Sequence, residues 1–196
     1  MKKVVIGTEG AYPPFNNLTS DGQLVGFDVD IAKALCEEAK FDCTFVTQDW
    51  DGIIPALLAN KFDVIIGGMS VTPKRMLTVN FTIPYTYATV GIAANRKIAP
   101  DIKTLEDLNK SDITLAARRG TNVAEWLAKT MPKATLRLFD DDAQAFQEVM
   151  NGNAHAMASS EPKPSLWSIT YSAQSQAQCF ECMRVCPVGA EKRDLK

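Results

Sequence analysis

Apolar and polar positions recur along this chain with two different periods, and the switches between them mark out most of its elements. KVVIG (residues 3–7) is a short apolar run of strand character. The segment after it, TEGAYPPFNNLTSDGQLVG, gathers glycine, proline and asparagine and reads as turns. In FDVDIAKALCEEAK the period becomes helical, with Val29, Ile31, Ala32, Leu35 and Cys36 mostly on one stripe. CTFVTQ (43–48) predicts a strand, DGIIPALLANK (51–61) a short helix, and DVIIGG (63–68) a buried strand ending in glycines. A β-α-β-α-β order favours a mainly parallel sheet covered by helices.

The long extended stretch VNFTIPYTYATVGIAANRK is rich in β-branched and aromatic residues and suits a crossover from one lobe to another. The alternation then restarts. TLEDLNK predicts a helix with Thr104 as its N-cap, DITLAA (112–117) a strand and TNVAEWLAKTM a helix. TLRLF, DDAQAFQEVMNGN and AHAMAS continue as strand, helix and strand. Two sets of βα units joined by an extended crossover make a two-lobed α/β protein, with lobe 1 expected over residues 1–88 and lobe 2 over 89–167. From Ser168 the chain turns polar and small, with no clear period, and 168–196 is expected to be an atypical tail.

Composition narrows the function classes. At 196 residues, 46% hydrophobic and 22% charged, the chain matches an ordinary globular protein. A net charge of −2 argues against a dedicated binder of nucleic acid or anionic membrane. No apolar run approaches the ~18 residues of a membrane span. The start, MKKVVIGTEG, lacks the ~7–15 apolar residues of a signal peptide, so either the protein is cytoplasmic or a signal has been removed. Five cysteines leave at least one thiol without an intramolecular partner.

In α/β sheets, ligands gather at the carboxyl ends of strands. The predicted ends collect Glu9, Tyr12 and Phe15; Trp50 and Asp51; and Gly67, Gly68, Met69, Ser70 and Thr72 with Arg75 nearby. The second half adds Arg118, Arg119, Gly120 and Thr121, then Ser159, Ser160 and Glu161. These groups suit a zwitterion. Arg75 can grip a carboxylate through two parallel charge-assisted hydrogen bonds, and Gly120 and Thr121 can add donors at a helix start. Oxygens near Gly68 and Ser70 with an acid would take an ammonium, while Tyr12 and Trp50 could wall an apolar or cationic side chain. Taken singly, Arg75 reads as a solvated charge, Trp50 as core and Gly-Thr as a cap; their joint placement at equivalent strand ends favours a site. The only histidine, His155, lies between alanines on a predicted strand and reads as structural. With one histidine, no G-x-S-x-G elbow and no phosphate loop, catalytic readings are thin.

The stretches GFDVDIAKALC, DWDGIIPALLANKFDVIIGGMSVTPKR, NFTIPYTYA, RRGTNVAEW and ASSEPKP resemble periplasmic amino-acid-binding proteins of polar amino acid ABC importers. The likeness covers about residues 3–167 and is strongest to the lysine/arginine/ornithine, histidine, arginine and opine binders. It implies a two-lobed fold of the periplasmic-binding-protein type II, an amino acid held between the lobes, delivery to an ABC permease, periplasmic location and no cofactor or metal. By position, Arg75 matches the arginine that takes the α-carboxylate, and Ser70 and Thr72 match the neighbouring serine/threonine positions. Tyr12 and Trp50 match the aromatics that sandwich the side chain, and Thr121 matches a second-lobe donor to the carboxylate. Glu9 falls where cation-selective members carry an acid; it either meets the distal basic group of the ligand or faces solvent. The spacing of Cys36 and Cys43 matches a disulfide of the basic amino-acid binders, which implies an oxidising compartment.

Two departures accompany the likeness. Where the family places an Asp for the α-ammonium, this chain has Ser160 with Glu161 beside it. After about Trp167 the resemblance stops, so the chain is expected to be truncated or altered there and the fold incomplete at its C-terminus. A single crossover would leave the lobes free to separate or let two chains exchange them as a lobe-swapped homodimer. The rival readings are a periplasmic cyclohexadienyl or arogenate dehydratase on the same fold, with Glu161 as its acid, and the ligand-sensing module of a receptor. In the tail, Cys179, Cys182 and Cys186 have ferredoxin-like spacing, but a fourth cysteine would be needed at Gln176. Disulfides among them are favoured over a cluster.

Overall fold

The computed structural model describes residues 1–160 and, further on, the backbone of Glu181–Val185. Glu161, Cys179, Cys186 and the boundary near Trp167 lie outside the described residues. The chain forms two compact units, Met1–Thr86 and Tyr87–Lys196.

Unit 1 is built on a three-stranded parallel sheet. Its centre is β1 (Lys2–Thr8), flanked by β5 (Phe41–Thr47) and β6 (Val64–Ile65). Helix α1 (Phe27–Ala39) connects β1's region to β5, and α2 (Trp50–Leu58) connects β5 to β6. One core gathers Ile53 and Ala56 of α2 with Phe62, and Val5, Ile65 and Met69 pack against it. The stripe expected on α1 holds only over its first half. Val29 and Ala32 are buried, but Leu35 is 57% exposed, and the buried set begins instead with a carboxylate, Asp28.

Two local readings change. The segment expected as turns contains a small antiparallel sheet of β2 (Ala11–Tyr12), β3 (Asn16–Leu18) and β4 (Leu24–Val25). Strands of two or three residues are too short to display a period of two, so the turn residues dominate the pattern. The strand expected over DVIIGG shortens to Val64–Ile65, because Gly68 adopts φ +61° and turns the chain out of the sheet. A helix that the sequence pattern did not show, α3 (Pro73–Met76), starts from Thr72 with proline at its first position.

Cys36 on α1 and Cys43 on β5 are joined by a disulfide. Closing a loop over a sequence separation of 7 restricts the unfolded chain by about 2–3 kcal/mol. The double variant Cys36→Ser/Cys43→Ser is therefore expected to unfold at a clearly lower urea midpoint than the oxidised protein. Coincident midpoints would show that the crosslink contributes nothing to stability.

Unit 2 carries a five-stranded sheet in the order β11-β7-β10-β8-β9. Its strands are β7 (Val90–Ala94), β8 (Thr114–Arg118), β9 (Thr135–Phe139), β10 (Ala156–Ser160) and β11 (Glu181–Val185). β8 pairs in parallel with β9 and β10, whereas β7 is antiparallel to both β10 and β11. The central strands are buried on both faces, as their unbroken apolar sequences require. Ile92, Ala94, Leu115, Ala117, Ala156 and Ala158 face one way, against Val123, Ala124 and Leu127 of α5 (Asn122–Thr130). Ala93, Ala116 and Met157 face the other way, against Ala145, Phe146 and Val149 of α6 (Asp142–Met150). The small alanines allow both helices to approach the sheet.

Thr104 caps α4 (Leu105–Leu108) in a capping box with Asp107, as the sequence pattern predicts. The Lys103 backbone N–H, with Lys110 and Thr104, holds the Asp107 carboxyl well below the usual carboxylate range. His155 is structural: its Nδ1 accepts from the Thr114 N–H at 2.9 Å, and its own N–H donates to the Thr114 carbonyl at 2.8 Å. β11 arises where the sequence pattern showed no period. It supplies hydrogen-bond partners to β7, which would otherwise be the sheet's bare edge.

Candidate functional site

The carboxyl ends of the unit 1 strands bring most of the expected residues together. Arg75 lies in α3 and is half-buried. Its backbone N–H donates to the Thr72 hydroxyl at 3.2 Å, and its Nη1 donates to the Ser70 carbonyl at 2.9 Å. The guanidinium carbon sits 5.3 Å from the centroid of the Trp50 ring, a cation–π distance. Trp50 reaches it because it opens α2 directly after β5. A carbonyl and an aromatic face thus fix the direction of one guanidinium, on a short helix whose start Thr72 caps. Such a group recognises a planar anion through parallel N–H donors.

Tyr12 and Gly68 form the neighbouring pair. The Tyr12 ring stacks on Phe15 at 5.2 Å between centroids. At Gly68, φ is +61° and a Cβ would lie 3.2 Å from Tyr12 Cε1, so only glycine lets the ring rest against the loop without strain. Glu9 follows β1 and is buried, one residue before the Gly10 turn that leads to Tyr12.

Three polar residues of this region escaped the sequence reading: Asn16, Asp28 and Tyr85. Asn16 and Asp28 are fully buried. Asp28 Oδ2 accepts from Asn16 Nδ2 at 2.9 Å, and Oδ1 accepts from the Tyr85 hydroxyl at 2.7 Å. Burial pushes the Asp28 carboxyl up, against the opposing effect of the hydrogen bonds from Tyr85 and Asn16. Burial and the adjoining Asp28 carboxylate push the Tyr85 phenol well above its ordinary range. The available signal was Asp28 itself, a charge on the stripe side of an amphipathic helix.

In unit 2, the corresponding strand ends hold Arg118, Gly120, Thr121, Ser159 and Ser160. Thr121 caps α5: its hydroxyl accepts from the Ala124 N–H at 3.1 Å and donates to the Arg118 carbonyl at 2.7 Å. The hydroxyl proton is thereby committed within the protein, which leaves donation to an anion to the helix N–H groups. Arg118 is buried and donates from Nε to the Asp140 carbonyl at 3.0 Å. Arg119 pairs with Asp140 on the exposed surface at 3.0 Å. Ser159 donates to the buried carboxylate of Asp142 at 3.0 Å, an acid that the sequence reading did not single out. Ser160 is half-buried at the end of β10. Continuing the β8–β10 register places Arg118 and Ser159 level at the carboxyl ends of these two neighbouring strands.

Comparison with known proteins adds to this geometry. The model of the bacterial extracellular solute-binding proteins, family 3, matches residues 4–162. The chain is 54% identical over 84 residues to the octopine-binding periplasmic protein of Rhizobium meliloti, covering 43% of this chain and 29% of that protein. It is 33% identical over 151 residues to the ABC transporter arginine-binding protein 1 of Escherichia coli strain K12, covering 77% of this chain and 60% of that protein. The crystal structure of an ancestral amino acid-binding protein, a precursor of cyclohexadienyl dehydratase, matches with a TM-score of 0.82 at 37% identity, covering 94% of this chain and 79% of that chain. The chain spans less than two thirds of the length of both curated relatives.

Proposed function

Because this chain belongs to the family 3 bacterial extracellular solute-binding proteins, we propose that it binds a free, cationic amino acid or opine in the periplasm and delivers it to the permease of an ABC importer. The observation that carries this reading is the oriented guanidinium of Arg75, fixed by the Ser70 carbonyl and the Trp50 face. In this reading Arg75 takes the α-carboxylate, and Gly68 and Ser70 offer oxygens to the ammonium. Tyr12 and Trp50 line the ligand side chain, and Glu9 meets its distal cation. Among the unit 2 candidates, Thr121 would contribute through the α5 N-terminus, and Ser160, at the end of β10, precedes Glu161 in the sequence as the ammonium candidates. The Cys36–Cys43 disulfide supports an oxidising compartment. The names of the matched curated relatives, octopine-binding and arginine-binding, support a basic ligand.

The role is binding without catalysis. Turnover of prephenate or arogenate by the purified protein would contradict it. The deciding experiment is a thermal-shift screen across the twenty amino acids, ornithine and octopine. A ligand at about 100 times its Kd stabilises the folded state by about 2.7 kcal/mol. Arginine, ornithine, lysine or octopine should raise the melting temperature, and acidic amino acids should leave it unchanged. Flat curves for every compound would overturn the reading.

A further inference from the structure

We propose that Asp28 and Tyr85 are the positioning pair of unit 1, holding the loop that carries Glu9 and Tyr12 at a fixed spacing from the loop that carries Gly68 and Ser70. The proposal rests on the reading of those two loops as ligand-bearing, and it assigns neither Asp28 nor Tyr85 a contact with ligand.

A continuous hydrogen-bond chain joins the two loops. The Gly10 N–H donates to Asn16 Oδ1 at 2.8 Å, and Asn16 Nδ2 donates to Asp28 Oδ2 at 2.9 Å. From the other side, the Gly68 N–H donates to the Tyr85 oxygen at 3.1 Å, and the Tyr85 hydroxyl donates to Asp28 Oδ1 at 2.7 Å. Both ends are backbone N–H groups, which can only donate. Their direction fixes every group between them: the Asn16 amide must turn its oxygen to Gly10, and the centre of the chain must accept from both sides. A carboxylate does this; an amide cannot. In Asp28→Asn, the new NH2 would face either the Asn16 NH2 or the Tyr85 hydroxyl, and one buried donor would lose its acceptor.

The surroundings are built to hold this centre in place. Asn16 and Asp28 are excluded from water, so the centre of the chain cannot exchange its partners for solvent, whereas Tyr85, 42% exposed, closes it from the surface side. The Asp28 N–H also donates to the Phe15 carbonyl at 2.8 Å, which anchors the start of α1 to the β3 side of the small sheet. The rings of Tyr12, Phe15, Phe27 and Tyr85 succeed one another at centroid distances of 5.2, 6.3 and 6.2 Å. The aromatic series and the hydrogen-bond chain thus both reach from the Tyr12 loop to Tyr85. Tyr85 adds the contact that aromatic packing cannot supply, a directional bond to the Gly68 amide.

Tyr85→Phe separates positioning from packing, because the ring stays against Phe27 while the hydroxyl is lost. In calorimetry well below the melting temperature, the variant should bind the ligand found in the thermal-shift screen about tenfold more weakly, roughly 1.4 kcal/mol. Its Gly68 amide should exchange with solvent faster, while the Gly10 amide stays protected. Asp28→Asn should weaken binding by a similar factor and also release the Gly10 amide. The double variant should bind no worse than the weaker single variant, since both act through one chain. A purely structural role would lower the melting temperature of the variants and leave the affinity of the folded protein unchanged, and that result would overturn the proposal. If the unaltered protein bound nothing in the screen, the function reading would fall and amide exchange would still decide. Equal protection of Gly68 in the Tyr85→Phe variant and the unaltered protein would overturn the pair.

Discussion

Arg75→Ala should weaken binding of a free amino acid by about two to three decades in Kd, roughly 3–4 kcal/mol. The size follows from the chemistry at stake. A guanidinium facing a carboxylate makes charge-assisted, parallel hydrogen bonds, and removing it strands the ligand's anion in a partly desolvated site. The variant should still fold. Arg75 belongs to a four-residue helix; of the contacts described for it, the Ser70 carbonyl and the Thr72 cap are local, and the face of Trp50 comes from the start of α2. Losing the Ser70 bond and the ring contact costs about 1–2 kcal/mol, and the Thr72 cap survives because it engages a backbone N–H. Arg75→Lys should fall between the two, since it keeps the charge and loses the planar fork. Isothermal titration at 25 °C on the three proteins is the measurement. Unchanged affinity in Arg75→Ala would remove the site proposed for unit 1.

Gly26→Ala should have the largest effect on folding. Gly26 precedes α1 with φ 121° and ψ 172°, a region open essentially to glycine alone. A Cβ there would also collide with the backbone carbonyl of Phe15 and stand 2.8 Å from the Pro14 oxygen. These are main-chain atoms that cannot rotate away as a side chain could. They are also in use: the Phe27 and Asp28 N–H groups donate to the Pro14 and Phe15 carbonyls at 3.2 and 2.8 Å. Relieving the clash would therefore break the start of α1 and displace Asp28. Backbone strain of about 1–3 kcal/mol plus the lost bonds should bring the total to roughly 3–5 kcal/mol. Gly22→Ala is the control. Gly22 also has a positive φ, 82°, but a Cβ there meets nothing within 4 Å, so it should cost about 1 kcal/mol. Urea denaturation of both variants separates the terms, and equal midpoints would show that crowding at Gly26 contributes nothing.

Much of the fold was legible in the sequence, for a local reason. In β7, β8 and β10, neighbouring residues had to pack on opposite sides of one sheet, and continuous apolar runs are what two covered faces leave in a sequence. The α5 and α6 starts were legible because Thr121 and Asp141 cap by hydrogen bonds that span only three residues. Leu35 shows the limit of such reasoning. Helical periodicity identifies the residues that share a face, but whether a face is covered depends on chain far away in sequence. Leu35 lies on the apolar stripe and is nonetheless exposed.

The candidate site divides in the same way. Sequence by itself determined the types of chemistry at the strand ends: an arginine behind a Ser-x-Thr turn, aromatics, glycines and a serine–threonine set. Geometry between distant residues could come only from the tertiary structure. Tyr85 meets Asp28 across 57 positions and the Gly68 amide across 17, and Asn16 meets Asp28 across 12. A buried polar side chain is costly unless paired, so Asp28 required partners. The sequence carried that requirement without the identity of the partners, because hydrogen bonds depend on tenths of an ångström set by the path of the whole backbone.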